Sequence, residues 1–194
     1  MSAVPALSQQ SSVLVVGLGN PGARYAQTRH NIGYRVVNEL AETTSFQPVP
    51  FSLHKRTGAF VAEMPAGALR PGAPKLILAR TATPMNTSGG VVNALTNYFH
   101  VAPAGIVAIY DDMEREFGSF TVKHGSGDKG HNGLKSLTKA LGTKDYARLS
   151  VGIGRPPGKM DASAFVLGKF SAAQEQELDF IIPDVADYLR QELL

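Results

Sequence analysis

Val13–Leu18 (VLVVGL) runs directly into Gly19-Asn20-Pro21-Gly22, and this stretch decides the fold class. A continuous apolar run that ends in a polar turn is typical of a strand buried on both faces. Lys75–Ala79 (KLILA) and Ile106–Tyr110 (IVAIY) are two more runs of this kind. Apolar residues at helical spacing lie between and after these runs. The alternation predicts a single α/β domain with a mixed, largely parallel central sheet flanked by helices.

The other predicted elements complete this pattern along the chain. We expect further strands in 51–63 (one or two short ones), Ser119–Lys123 and Arg148–Ile153, and helices in Asn31–Ala41, 91–99 and 134–141. Thr28 is a candidate cap before the first helix. Ser171 and Gln174 predict a capping box for a last helix, which Pro183 should kink or split. We expect residues 1–12 to be a flexible N-terminal tail and 13–194 to form the domain.

Composition excludes several classes of protein. The 194 residues are 43% hydrophobic and 18% charged, which is typical of a globular chain and not of a disordered or fibrous one. There is no cysteine, so disulfides, thiolate metal sites and cysteine nucleophiles are excluded. No apolar run approaches the ~20 residues of a membrane span. We therefore expect a cytoplasmic protein with no membrane partner.

Positive charge is concentrated in one segment of the chain. The net charge is only +3, but residues 118–159 hold eight Lys or Arg against two Asp or Glu. Such a segment can attract a polyanion by neutralising its phosphates, although a solvated face without a partner is the alternative on charge alone.

Polar residues follow three of the predicted strands. Asn20 follows the first, Asn86 follows the Lys75–Ala79 strand, and Asp111 follows Ile106–Tyr110. In an α/β sheet the functional residues gather at the carboxyl ends of the strands. A glycine-rich loop adds the pair His131-Asn132, so the sequence predicts a site that combines Asn, Asp and His.

Other standard sites find little support. Gly17–Gly22 matches G-x-G-x-x-G, but Pro21-Gly22 indicates a turn and clear helical spacing begins only near Asn31, which argues against a dinucleotide. The motifs G-x-S-x-G, H-E-x-x-H and G-x-x-x-x-G-K-[ST] are absent, and the five histidines lack zinc-ligand spacing. The remaining residues fit a hydrolase without metal or cofactor. In such an enzyme a histidine activates water, and a carboxylate orients the histidine.

The chain closely resembles the bacterial-type peptidyl-tRNA hydrolases from Val13 to about Leu189. The motifs that carry the resemblance occur in the family's order: Gly17–Gly22, Tyr25, Thr28–Gly33, Pro84-Met85-Asn86 with Ser88-Gly89, Tyr110-Asp111-Asp112, Gly130–Lys135, Arg148-Leu149, Gly152–Gly154 and Phe165–Lys169. The resemblance implies a monomeric enzyme that cleaves the ester between a peptide and the 3′ ribose of tRNA.

The resemblance also implies roles for individual residues. His30 matches the catalytic base and Asp111 the carboxylate that orients it. The amides that position substrate and water match Asn20, Asn86 and Asn132, while Met85 and Tyr25 match residues of the same cleft. Lys123 matches a residue that contacts tRNA phosphate.

Two departures from the family concern the phosphate contact and the glycine-rich loop. The family often has a second phosphate-contacting arginine where this chain has Ser150, so we expect Arg148, or else Lys129 or Arg155, to take that part. Asp128-Lys129 stands where small residues are common in the family. His131 is expected to be structural. The alternative function is that of the family's non-catalytic RNA-binding relatives, which serve intron splicing in plant organelles.

Overall fold

The computed structural model describes residues 7–194, apart from the side chains of residues 192 and 193. It contains seven strands and five α-helices in this described part. The strands are β1 Ser12–Gly17, β2 Ser52–His54, β3 Ala59–Met64, β4 Lys75–Thr81, β5 Ile106–Asp112, β6 Phe120–His124 and β7 Ala147–Gly152. The helices are α1 Ile32–Thr43, α2 Ser88–Phe99, α3 Asn132–Leu141, α4 Ala162–Val166 and α5 Ala172–Tyr188.

All seven strands form one sheet in the order β2-β3-β4-β1-β5-β7-β6. The central strands β4, β1, β5 and β7 are parallel, whereas β2, β3 and β6 run antiparallel to their neighbours. After β1 the chain forms β2, β3 and β4 on one side of β1, and it then crosses to form β5 on the other side. The carboxyl ends of β4, β1 and β5 therefore flank the point where the strand order reverses, which is where α/β sheets bind ligands.

Helices cover both faces of the sheet. On one face α1 and α5 pack against alternate strand residues such as Val13 and Val15, and on the other face α2 and α3 pack against Leu14 and Val16. The alternation follows from the twofold period of a strand, and because both sides are apolar the central strands are continuous hydrophobic runs.

Helix α1 begins unusually close to the sheet because of two glycines. A Cβ added to Gly33 would lie 2.4 Å from the carbonyl oxygen of Ile109, and one added to Gly17 would lie 2.3 Å from the carbonyl oxygen of Gly33. Any side chain at these positions would push the helix away from β1 and β5. This contact brings His30, just before α1, to the end of β5.

The predicted fold class is confirmed, with four local differences. Within the predicted tail, residues 1–6 lie outside the described residues, whereas Leu7 is 2% exposed and packs into the core. Thr28 does not cap with its side chain; its hydroxyl donates to the carbonyl of Tyr25. The capping box of Ser171 is confirmed, but α5 continues through Pro183 and is not split. Helix α4 was not predicted.

Within the described residues, no helix has both the length and the apolar character needed to cross a membrane.

Candidate active site

The candidate active site is a cleft at the carboxyl ends of the central strands. It is about 580 Å³ in volume, within the usual range for a small-ligand pocket. Six of the residues predicted from the sequence line it together: Asn20, His30, Met85, Asn86, Asp111 and Asn132. They come from the turn after β1, the segment before α1, the turn after β4, the end of β5 and the start of α3.

His30 and Asp111 form a close pair in this cleft. The Nδ1 of His30 donates to both carboxylate oxygens of Asp111, at 2.8 and 2.9 Å. A carboxylate accepts hydrogen bonds only, so this contact keeps the proton on Nδ1 and leaves Nε2 with a free lone pair. The His30 side chain is 12% exposed. It can therefore act as a base toward a molecule in the cleft.

Asp111 has a second histidine partner, His131, which the sequence pattern groups with the site but predicts to be structural. The Nε2 of His131 donates to Oδ1 of Asp111 at 2.9 Å, while its Nδ1 accepts from the backbone N–H of Leu134 at 3.3 Å. His131 therefore caps α3 and also holds the carboxylate of Asp111. Its position beside Asn132 is the only sequence signal that points to it.

The environment of Asp111 keeps its carboxyl group ionised. Burial disfavours the charged form, but the hydrogen bonds of His131 and His30, together with the positive charge that each ring carries when protonated, outweigh it and hold the pKa of Asp111 well below its usual range. The side chain is only 1% exposed, so water does not compete for these contacts.

Asn20 is held by a clamp that includes Asn31. The backbone N–H of Asn20 donates to Oδ1 of Asn31, and Nδ2 of Asn31 donates back to the carbonyl of Asn20, both at 2.9 Å. The side-chain oxygen of Asn20 accepts from the N–H of Met85 at 2.9 Å. The NH₂ end of Asn20 is thus directed toward an acceptor such as an ester oxygen. In the sequence Asn31 belongs to a motif but has no assigned role.

One wall of the cleft comes from the segment around α4. Asp161, Ser163, Val166 and Leu167 line this wall. Arg29, the neighbour of His30, holds this wall in place. Its backbone N–H donates to the carbonyl of Gly168 at 3.0 Å, and its guanidinium lies 4.2 Å from the centre of the Phe165 ring. Met85 also lines the cleft and is 4% exposed.

His30, Asp111 and His131 could together hold a metal ion, because their ligand atoms lie within 4.8 Å of one another. The hydrogen bonds fit such an ion poorly. The Nδ1 of His131 faces an N–H donor, so the ring carries its proton on Nε2, the nitrogen that would have to bind the metal. The arrangement suits two N–H donors around one carboxylate better than a metal centre.

Two predicted binding residues lie outside the cleft lining. Tyr25 is half-buried and is not among the residues that line the cleft, and the Arg24 guanidinium lies 4.6 Å from the centre of its ring. Lys123 is exposed on β6, the edge strand of the sheet, opposite Arg148 of β7.

The expected replacements for the family's second phosphate-contacting arginine are engaged elsewhere. Arg148 is 1% exposed and donates to the carbonyl of Gly127 at 3.1 Å, so the prediction that it contacts tRNA directly is wrong. Ser150 is 3% exposed and is buried as well. Lys129 pairs with Asp112, and Arg155 pairs with Glu114. Packing under the glycine-rich loop, which a sequence pattern does not reveal, draws Arg148 inward.

Comparison with known proteins gives one consistent result. The family model described as peptidyl-tRNA hydrolase matches residues 14–194. A peptidyl-tRNA hydrolase of Corynebacterium diphtheriae is 48% identical over 177 residues, which are 91% of this chain and 94% of that protein. One of Kineococcus radiotolerans is 47% identical and covers 92% of this chain and 89% of its own length. The crystal structure of peptidyl-tRNA hydrolase from Acinetobacter baumannii matches with a TM-score of 0.81 at 30% identity, covering 93% of this chain and 89% of that one. The chain therefore belongs to the peptidyl-tRNA hydrolase family.

Proposed function

We propose that the protein hydrolyses the ester that joins a peptide, or an N-blocked amino acid, to the 3′ ribose of tRNA, and so returns tRNA to translation. Family membership supports the substrate. The observation that carries the mechanism is the His30–Asp111 pair, whose free Nε2 lies in a cleft lined by three asparagines.

In the proposed mechanism His30 acts as a general base. Its Nε2 takes a proton from water as the water oxygen attacks the ester carbonyl carbon. Asp111 stabilises the imidazolium that forms, and His131 holds Asp111 in place. The tetrahedral intermediate then collapses, its bond to the ribose oxygen breaks, and His30 returns the proton to the 3′ hydroxyl.

The three asparagines supply neutral donors and acceptors around the reacting atoms. Because its side-chain oxygen is engaged by Met85, Asn20 offers an N–H to the carbonyl oxygen as negative charge develops there. Asn132 and Asn86 are exposed on the other sides of the cleft, where they can hold water and the acceptor end of the substrate.

We propose that this reaction needs no metal ion. The ester is an activated acyl group, and the histidine–carboxylate pair itself supplies the base. A cation between His30 and His131 would occupy Nδ1 of His30 and force the proton onto Nε2, which would remove the base.

On the tRNA side, we propose that Lys123 contacts a backbone phosphate. It is exposed at the edge of the sheet, in the segment with the highest positive charge. The cleft itself has room for the acceptor end and the ester-linked residue, so the rest of the tRNA must lie on the outer surface. That the protein acts as a monomer stays a prediction from the resemblance, and that it lies in the cytoplasm stays a prediction from the composition.

A single-turnover assay with purified protein tests the proposal. N-blocked aminoacyl-tRNA and free aminoacyl-tRNA are compared, with and without chelator, for the wild type and His30→Ala. We expect rapid release from the blocked substrate only, unaffected by chelator and abolished in the variant, although the variant still binds tRNA. Wild-type turnover in His30→Ala would overturn the mechanism. Tight tRNA binding without any hydrolysis would favour the RNA-binding alternative instead.

A further inference from the structure

A tight turn with a lysine at its centre comes directly before the helix that carries Asn132. The N–H of His131 donates to the carbonyl of Asp128 at 2.9 Å, which closes the turn. Its two central residues, Lys129 and Gly130, have φ values of 49° and 82°. Two consecutive positive φ values are typical of a type I′ turn, in which glycine, asparagine and aspartate are favoured. A lysine in this position is strained.

An ion pair with a buried carboxylate holds that lysine. The Nζ of Lys129 lies 2.8 Å from Oδ2 of Asp112, whose side chain is 3% exposed. The other oxygen of Asp112 accepts from the backbone N–H of Glu114 at 2.9 Å, so the carboxylate is itself fixed. An ion pair with a buried, hydrogen-bonded partner is much less screened by water than a pair on the surface.

Two adjacent carboxylates at the end of β5 therefore hold two residues of one turn. Asp111 accepts from His131, and Asp112 accepts from Lys129. Asn132 follows directly as the first residue of α3. The position of its amide relative to His30 thus depends on contacts on both sides of the turn.

We propose that Lys129 is a positioning residue for hydrolysis: its ion pair with Asp112 keeps the turn Asp128–His131 in its strained form and thereby sets the place of Asn132 in the cleft. This inference rests on the proposed function. Lys129 acts through Asn132, because its ammonium is already neutralised by Asp112.

Three substitutions separate the ion pair from the strain. Lys129→Met keeps the length and the strained backbone but removes the charge. Lys129→Gly removes both charge and strain, and Lys129→Arg keeps the charge. We expect kcat to fall about 10- to 100-fold in the Met variant, with KM changed less than threefold, because a misplaced group costs rate. The loss should be smaller in the Gly variant, because glycine adopts this turn without strain and needs the ion pair less. The Arg variant should recover most of the rate. Lys55→Met, at an exposed lysine in the turn between β2 and β3, controls for the loss of one positive charge.

A double-mutant cycle tests whether Lys129 acts through Asn132. In the Asn132→Ala background, Lys129→Met should cause no further loss of kcat. An equal loss in both backgrounds would overturn the proposal, as would an effect confined to KM. Wild-type kcat in Lys129→Met would also overturn it, because the turn would then keep its place without the ion pair.

Hydrogen exchange gives a readout that does not depend on catalysis. We expect amides in 128–134 to exchange about tenfold faster in Lys129→Met than in the wild type or Lys55→Met, because the turn opens more often. Unchanged exchange there would refute the ion pair as the anchor of the turn. If the wild type fails to hydrolyse N-blocked aminoacyl-tRNA, the proposed function fails, and exchange alone decides whether Lys129 anchors the turn.

Discussion

The two carboxylate oxygens of Asp111 lie 2.8 and 2.9 Å from one nitrogen, the Nδ1 of His30. Asp111→Asn keeps the shape of the side chain but lets its NH₂ group face Nδ1. The proton would then move to Nε2, where it blocks the base. We expect kcat to fall about 10²- to 10⁴-fold with little change in KM, measured in single-turnover and steady-state assays. A loss seen only in KM would contradict the assigned role.

His131 has two contacts that substitution can separate. His131→Asn retains a cap for α3 because asparagine is a favourable N-cap residue, whereas His131→Ala loses the cap and the contact with Asp111. We expect both variants to lose activity, and the Ala variant to be less stable than the Asn variant by about 1 kcal/mol in urea unfolding. Equal stability of the two would mean that the cap contributes nothing.

The close approach of α1 to the sheet predicts a strong effect at Gly33. In Gly33→Ala the new methyl group would overlap the Ile109 carbonyl, so the start of α1 must move outward with His30. We expect a loss of about 1–3 kcal/mol in unfolding free energy and a lower kcat.

Gly90→Ala is the matched control for this overlap. Gly90 lies in α2, and no atom lies within 4 Å of the position that a methyl group would take there, so alanine should add up to about 1 kcal/mol of stability. If Gly33→Ala changed neither the unfolding free energy nor kcat while the control behaved as expected, the helix would be shown to tolerate displacement from the sheet.

The exposed position of Lys123 predicts that its substitution affects tRNA binding and not the chemical step. We expect Lys123→Ala to raise KM with a smaller effect on kcat, and to reduce the dependence of KM on salt concentration, because one phosphate contact is lost. Lys55→Ala serves as the control for net charge. If the salt dependence is the same as in the wild type, Lys123 does not contact phosphate.

Tyr110 predicts a loss of stability at alkaline pH. Burial raises the pKa of Tyr110 to about 12, and the negative charge of Asp112 adds to this. In the unfolded chain a tyrosine ionises near pH 10, so the unfolded state releases this proton first and the folded state loses stability as the pH rises from about 10 to about 12. We expect the unfolding free energy, measured in urea at about pH 9 and about pH 11, to decline between these pH values. The decline should be smaller by about 1 kcal/mol in Tyr110→Phe than in the wild type. An equal decline in both proteins would mean that Tyr110 ionises normally.

The sequence predicts the sheet well because its central strands are buried on both faces. Runs such as Val13–Leu18 and Ile106–Tyr110 have no other stable environment, and the structure confirms them as strands. Helix α4 is only five residues long and lies against Arg29, so its stability comes from tertiary contacts that leave little periodicity.

In the candidate site, too, some residues could be predicted from the sequence, whereas the roles of others depend on tertiary contacts. Asn20, Asn86 and Asp111 follow strands, and their convergence could be predicted from topology. The roles of His131 and Arg148 could not, because each depends on a partner distant in the chain. His131 reaches back to β5, and Arg148 is drawn under the glycine-rich loop by carbonyl and hydroxyl acceptors.

The strand order has a consequence for how the protein is synthesised. Strand β7 lies between β5 and β6, so β6 and the glycine-rich loop have no sheet edge to join until Ala147–Gly152 has emerged and paired with β5. Such non-local pairing is slow. His131 therefore reaches Asp111, and Asn132 reaches the cleft, only when most of the chain has been made. A nascent copy of this protein, which is itself a peptidyl-tRNA, is thus without a complete active site for most of its own translation.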